Sequence, residues 1–152
     1  GVNRAWDAGL VVVVAAGNNG PRTMSITTPG ISRKVITVGC SDDDREVLVG
    51  GNRMVDYSGR GPTAACICKP DLVAPGCSVV SCSSRADKYT IKSGTSMSTP
   101  IVSGAVALLL ERFPDMTNKD VKLRLRESSV DIGLPRNQQG WGLLDVGKMI
   151  GK

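Results

Sequence analysis

Two residues of this chain stand where a side chain can do chemistry. Ser96 lies in Gly94-Thr95-Ser96-Met97-Ser98-Thr99-Pro100, just ahead of a long apolar run. A hydroxyl there faces the positive end of a helix dipole, which favours negative charge developing beside it. The small neighbours leave room for a polypeptide backbone to approach. Asn18 lies in Ala15-Ala16-Gly17-Asn18-Asn19-Gly20, directly after the run Leu10–Ala16. Groups at the carboxyl end of a buried parallel strand line the crevice where open α/β sheets bind ligands. A carboxamide placed there donates a hydrogen bond to an oxyanion. Each residue also has an ordinary reading. A serine ahead of a helix is most often its N-cap, and an asparagine among glycines most often shapes a turn.

What is absent narrows the chemistry further. None of the 152 residues is His. Histidine metal ligands and a histidine general base are therefore excluded from these residues, and a Ser–His or Cys–His mechanism must take its base from elsewhere. The aromatics are two Trp, two Tyr and one Phe, too few for a base-stacking surface. The formal charge is +5, but the densest basic cluster, Lys119, Lys122, Arg124 and Arg126, is interleaved with Asp120 and Glu127. That pattern reads as a solvated helix face, and no nucleic-acid partner is expected. Five cysteines make no complete disulfide framework, and Cys66 and Cys68 are too close for a CxxC zinc motif. Their apolar neighbours predict buried free thiols, which leans toward a reducing, cytoplasmic setting. No apolar stretch approaches the ~20 residues that span a bilayer, so no membrane partner is expected.

Elements must hold Ser96 and Asn18 in place. The length suits one domain over residues 1–152. Gly1–Gly9 reads as a helix already in progress with a glycine stop. Continuous rather than alternating apolar runs at Leu10–Ala16 and Val35–Cys40 predict strands buried on both faces, as in a parallel sheet. Asp42–Glu46 is a charged turn. Val47–Val55 predicts a hairpin about Gly50-Gly51-Asn52, and Leu72–Gly76, Val79–Cys82 and Tyr89–Lys92 predict further strands. Pro100–Phe113 predicts a helix with Pro100 near its first turn, apolar around much of its circumference and therefore central and buried. Gly104 would let a neighbour come close. Thr117 and Asp120 form a capping box for a helix to about Glu127, and Leu143–Ile150 predicts a last short helix. The fold class is α/β, with too few helices to cover a parallel sheet.

Taken together and in order, Ala-Ala-Gly-Asn (15–18), Tyr-Ser-Gly-Arg-Gly-Pro (57–62), Lys-Pro-Asp-Leu-Val-Ala-Pro-Gly (69–76) and the block from Ser93 through Leu110 resemble the subtilisin-like serine proteases. The likeness runs through the whole chain to Gly140-Trp141-Gly142-Leu143-Leu144-Asp145-Val146. It implies the C-terminal part of one subtilisin-like catalytic domain, with a buried helix after the nucleophile and the N-terminal part of the sheet missing. By the same resemblance Ser96 is the nucleophile, and Asn18 with the Ser96 backbone N–H forms the oxyanion hole. Ala15, Ala16, Gly17 and Thr95 would bind the substrate chain. The reaction implied is peptide hydrolysis through an acyl-enzyme. Loss of the Asn18 side chain would cost roughly 10²–10³ in turnover, a figure borrowed from subtilisin itself.

The departures matter as much. The family's triad Asp and His belong to an upstream segment absent here, so the fragment alone is expected to be inactive. Ile101 stands where the motif usually carries a His outside the triad, and Ser98 replaces a common Ala. No cofactor is expected. The loop Pro29–Val35 resembles one that offers carbonyls to a weak cation site, calcium in this family, without an acidic cluster to support it. The expected partners are a polypeptide substrate, the missing N-terminal part of the domain, and further copies of the chain through an exposed sheet edge. The family is mostly secreted. The competing reading is a non-catalytic module that keeps the fold without the activity.

Overall fold

The computed structural model describes residues 1–84 and 88–152. Helix α1 (Val2–Asp7) ends at Ala8, and Gly9 follows at φ +91°, a turn a side chain would strain. The apolar run after it pairs as a strand only over β1 (Val13–Ala15). Strand β2 (Ile36–Cys40) is buried along its whole length. Strands β3 (Val47–Val49) and β4 (Asn52–Met54) form the expected hairpin. Gly50 and Gly51 both take positive φ at its turn, matching the twist of two-residue hairpins. Strand β5 (Leu72–Ala74) is again fully buried. Strands β6 (Val79–Cys82) and β7 (Tyr89–Lys92) form a second antiparallel pair. Then follow α2 (Thr95–Arg112), α3 (Asn118–Ser128), the short α4 (Arg136–Gln139) and α5 (Val146–Ile150).

The sheet that matters is parallel, in the order β1-β2-β5. Val14 stands opposite Thr37, and Gly39 opposite Val73. Its far side is extended by Leu143, which bridges both Val73 and Val130. Leu143 was expected inside the last helix. Instead α5 starts at Val146, because Asp145 caps it by accepting the Lys148 N–H at 2.8 Å. On the near side β1 pairs with no further strand among the described residues, and its three residues are only half-buried.

Helix α2 packs across all three strands. Val102, Ala105, Val106 and Leu109 meet Ile36, Val38, Leu72 and Ala74 in one core with Val121, Leu125 and Met149. Each fully buried Val or Leu there contributes about 1.5–3 kcal/mol. Two expectations for this helix need correction. It begins at Thr95, five residues before Pro100, so Ser96 sits in its first turn and the N-cap is Gly94. It is also buried on one face only. Ser103, Gly104, Ala107 and Leu108 are exposed, and no neighbour approaches Gly104. The sequence is apolar all round, but nothing in the described chain covers the second face. The Thr117–Asp120 capping box is present as expected, with Thr117 N–H donating to Asp120 at 2.9 Å.

The basic face of α3 is not simply solvated. Lys122 lies over the Trp6 ring and donates to the carbonyls of Arg33, Lys34 and Val35 at 2.9–3.0 Å. Arg124 donates to Met149 O at 2.7 Å. Asp71 lies 3.4 Å from Lys122 through one oxygen. Its other oxygen accepts from the Thr37 N–H and the fully buried Lys69. Burial pulls both ammonium groups below the usual lysine range, and the Asp71 carboxylate pulls them back. The Pro29–Val35 loop does offer carbonyls to a cation, and that cation is the Lys122 ammonium. Replacing Lys122 with Met would leave the Arg33 and Lys34 carbonyls and one Asp71 oxygen short of a partner, while the Val35 carbonyl keeps Lys69. We expect Lys122→Met to lose about 2–3 kcal/mol of stability in urea unfolding. A loss indistinguishable from zero would mean that water serves these carbonyls equally well.

Candidate active site

The site forms where the carboxyl end of β1 meets the amino end of α2. Gly17 turns the chain out of β1 at φ +96°, and a Cβ there would overlap the Thr27 side chain. Only glycine fits that turn. The turn delivers Asn18 to the start of α2. Its Oδ1 accepts from the Thr95 N–H and from the Thr95 hydroxyl, both at 3.0 Å. The Thr95 hydroxyl in turn accepts from the Gly17 N–H at 3.2 Å. Gly94 carries no side chain to cap α2, so Asn18 caps it from across the sheet.

This bonding fixes which way the carboxamide faces. With the oxygen held by α2, the amide nitrogen is the free end. It lies beside Gly94, where an added Cβ would come within 3.3 Å of it. Ser96 is the second residue of α2, so its backbone N–H has no intrahelical acceptor. Its side chain is exposed, and its hydroxyl makes no hydrogen bond among the described residues. One helix terminus thus presents an accessible hydroxyl, an unpaired backbone N–H and a braced carboxamide. Such an arrangement can host an attacking oxygen and hold an oxyanion. Pro100 adds to this by having no N–H to offer the Ser96 carbonyl.

The other expected residues divide. Ala15 lines a shallow groove of about 430 Å³ with Ser96, Pro29, Thr99 and Pro100 along the free edge of β1. Gly17 is half-buried and does not line this groove. Ala16 is fully buried, with its N–H on Val38 O and its carbonyl accepting from Thr27, so its side chain belongs to the core and not to a pocket wall. Thr95 is also fully buried. Both roles of its hydroxyl are taken by Asn18 and Gly17, which makes it a brace for Asn18 and not a group open to substrate. The only sequence signal for that role was its place between Gly94 and Ser96. A larger cavity of about 710 Å³, between the end of α2 and α3, shares none of these residues.

A profile described as the subtilase family matches residues 1–142, and the chain belongs to that family. The serine protease AprX of Bacillus subtilis (strain 168) is 43% identical over 141 residues, covering 84% of this chain and 32% of that protein. The halolysin-like extracellular serine protease Nep of Natrialba magadii is 33% identical over 138 residues, covering 91% of this chain and 23% of that protein. The chain therefore spans about a third or less of these two relatives. A solved structure, the prenylagaramide maturation protease PagA, superposes with a TM-score of 0.76 at 24% identity, covering 98% of this chain and 52% of that one. That likeness shows the α/β fold.

Thr95→Val keeps the volume and removes the hydroxyl. The Gly17 N–H then loses its acceptor, and Asn18 keeps one of its two anchors. We expect a loss of about 1–2 kcal/mol in chemical unfolding. Unchanged stability would show that Asn18 is held by the Thr95 backbone alone.

Proposed function

We propose that this chain supplies the nucleophile and the oxyanion hole of a serine endopeptidase. One observation carries the reading: Asn18 is braced through its oxygen, so that its amide nitrogen is left free at the helix end bearing Ser96. Ser96 Oγ attacks the scissile carbonyl carbon while a base takes its proton. The carbonyl oxygen becomes an anion, held by Asn18 Nδ2–H and the Ser96 N–H. The base gives that proton to the departing amine, and collapse expels the amine and leaves an ester on Ser96. Water, deprotonated by the same base, then hydrolyses that ester. The groove beside β1 suits an extended substrate. The capping bonds of the Asn18 oxygen would serve a non-catalytic module as well; the amide nitrogen left over beside an exposed serine favours the peptidase.

The base comes from sequence outside these residues, since none of them is His. We read the chain as the C-terminal part of one catalytic domain, the remaining strands joining along β1. Calcium, common in this family, would then be held elsewhere in that domain, since the Pro29–Val35 carbonyls already serve Lys122. We read the parent protein as secreted, as the relative Nep is extracellular by name. Its cysteines are not all buried as expected: Cys66, Cys68 and Cys82 are exposed and Cys40 is fully buried. No helix among the described residues is long and apolar enough to cross a membrane.

Two tests follow from this reading. A fluorophosphonate should not label Ser96 in the 152-residue chain, because a serine without its base is a poor nucleophile. Stoichiometric labelling of the chain alone would overturn the dependence on outside sequence. The free β1 edge and the exposed stripe Gly104, Ala107 and Leu108 should also drive self-association. Sedimentation should report a dimer or larger, and Leu108→Asp should shift it toward monomer. A clean monomer at high concentration would contradict this.

A further inference from the structure

A second cluster of reactive side chains lies directly behind the nucleophile turn. Cys40 ends β2, Asp42 follows two residues later, and Cys77 follows the turn after β5. One ligand atom from each of the three lies within 4.8 Å of the others. The Tyr57 hydroxyl, fully buried, sits 3.2 Å from both sulfurs. Neither sulfur is in a disulfide. The peptidase reading uses none of these groups.

We propose that Cys40, Cys77 and Asp42 form a binding site for a thiophilic divalent cation of the zinc class. The donor set is two sulfurs and a carboxylate, which suits zinc or cobalt and not calcium or magnesium. Tetrahedral bonds of about 2.3 Å to sulfur and 2.0–2.2 Å to oxygen place neighbouring ligand atoms about 3.5–3.8 Å apart. Cys40 Sγ already lies 3.1 Å from Asp42 Oδ1, so the ligands need only part by tenths of an ångström around an ion. The carboxylate is oriented before any ion arrives. Asp42 Oδ1 accepts from the Gly76 N–H at 2.7 Å and the Cys77 N–H at 3.1 Å. Such outer hydrogen bonds are what hold metal ligands in place. The Tyr57 hydroxyl supplies a fourth donor to the ion or to a water upon it. Entry is open on one side, where Asp42 and Cys77 are partly exposed while Cys40 closes the base. Binding replaces the two thiol protons, which leave to solvent, with two metal–sulfur bonds.

The site touches the nucleophile turn through one residue. The Gly76 carbonyl accepts from the Gly94 N–H at 2.9 Å and from the Tyr57 hydroxyl at 3.3 Å. Gly94 is the N-cap of the helix that carries Ser96.

The test is a cobalt titration of the full chain carrying Cys66→Ser, Cys68→Ser and Cys82→Ser, under nitrogen with a non-thiol reductant. Sulfur-to-cobalt charge-transfer absorption should rise, saturate at one equivalent and bleach when zinc is added. Adding Cys77→Ser, at a partly exposed position where folding is preserved, should abolish the band. Cys40→Ala should do the same. No band at excess cobalt overturns the proposal. So does a band that survives Cys77→Ser, whatever Cys40→Ala does to the fold. Neither result bears on Ser96, so failure here and failure of the peptidase reading remain distinct.

Discussion

The carboxamide oxygen of Asn18 is the joint on which the site depends. It accepts two hydrogen bonds from Thr95, a residue 77 positions away in the chain. That bond pair fastens the end of β1 to the start of α2 and supplies the cap that Gly94 cannot. It also spends the oxygen, so that only the nitrogen is left to act. A free asparagine would present either end of its amide to a developing anion. Here the fold has chosen, and the choice costs nothing at the moment of reaction. The conditions upstream are strict. Gly17 must turn with positive φ where a Cβ would strike Thr27. The β1–β2 register must then place that turn level with the helix end.

A second constraint works from beneath. Asp71 precedes β5 and bonds the Thr37 N–H of β2, while Lys69 and Lys122 neutralise it. Replacing such a group with apolar residues is often neutral for stability, whereas removing one member leaves an uncompensated charge. Its effect here is to fix position. Lys122 reaches from α3 to the three carbonyls of residues 33–35, which lead straight into β2. The helix layer and the sheet are thereby keyed to one another by charge as well as by packing.

The sequence made parts of this legible for definite reasons. Buried parallel strands read as unbroken apolar runs, so β2 and β5 stood out. The Thr117–Asp120 box announces α3 because both its bonds are local. Ser96 and Asn18 are singled out by the ordered motifs they sit in, and the structure brings both to the start of α2. What stayed hidden was non-local. Pro100 read as a first-turn marker, and nothing local says that α2 starts five residues earlier under a cap borrowed from Asn18. Lys122 read as part of a solvated face because its partners, the carbonyls of residues 33–35 and Asp71, lie far along the chain. Ala16 and Thr95 read as pocket residues, since burial is decided by Val38, Thr27 and Asn18 and not by their own types.

Ser96 and the unfinished face of the molecule belong to the same feature. Ser96, Pro100, Ser103, Gly104, Ala107 and Leu108 recur at three- and four-residue spacing and are all exposed. They form one stripe of α2, and Ser96 is its first member. The groove that holds Ser96 is bounded by the free edge of β1 and by the start of that stripe. Burying Leu108 and Ala107 is the apolar driving force available to any element that docks here, and among the described residues β1 is the sheet edge beside it. Such an element must therefore pass next to the Ser96 hydroxyl. A general base carried on it would be placed by packing on α2 and pairing with β1. The Asn18 carboxamide, which is braced already within this chain, would need no further adjustment.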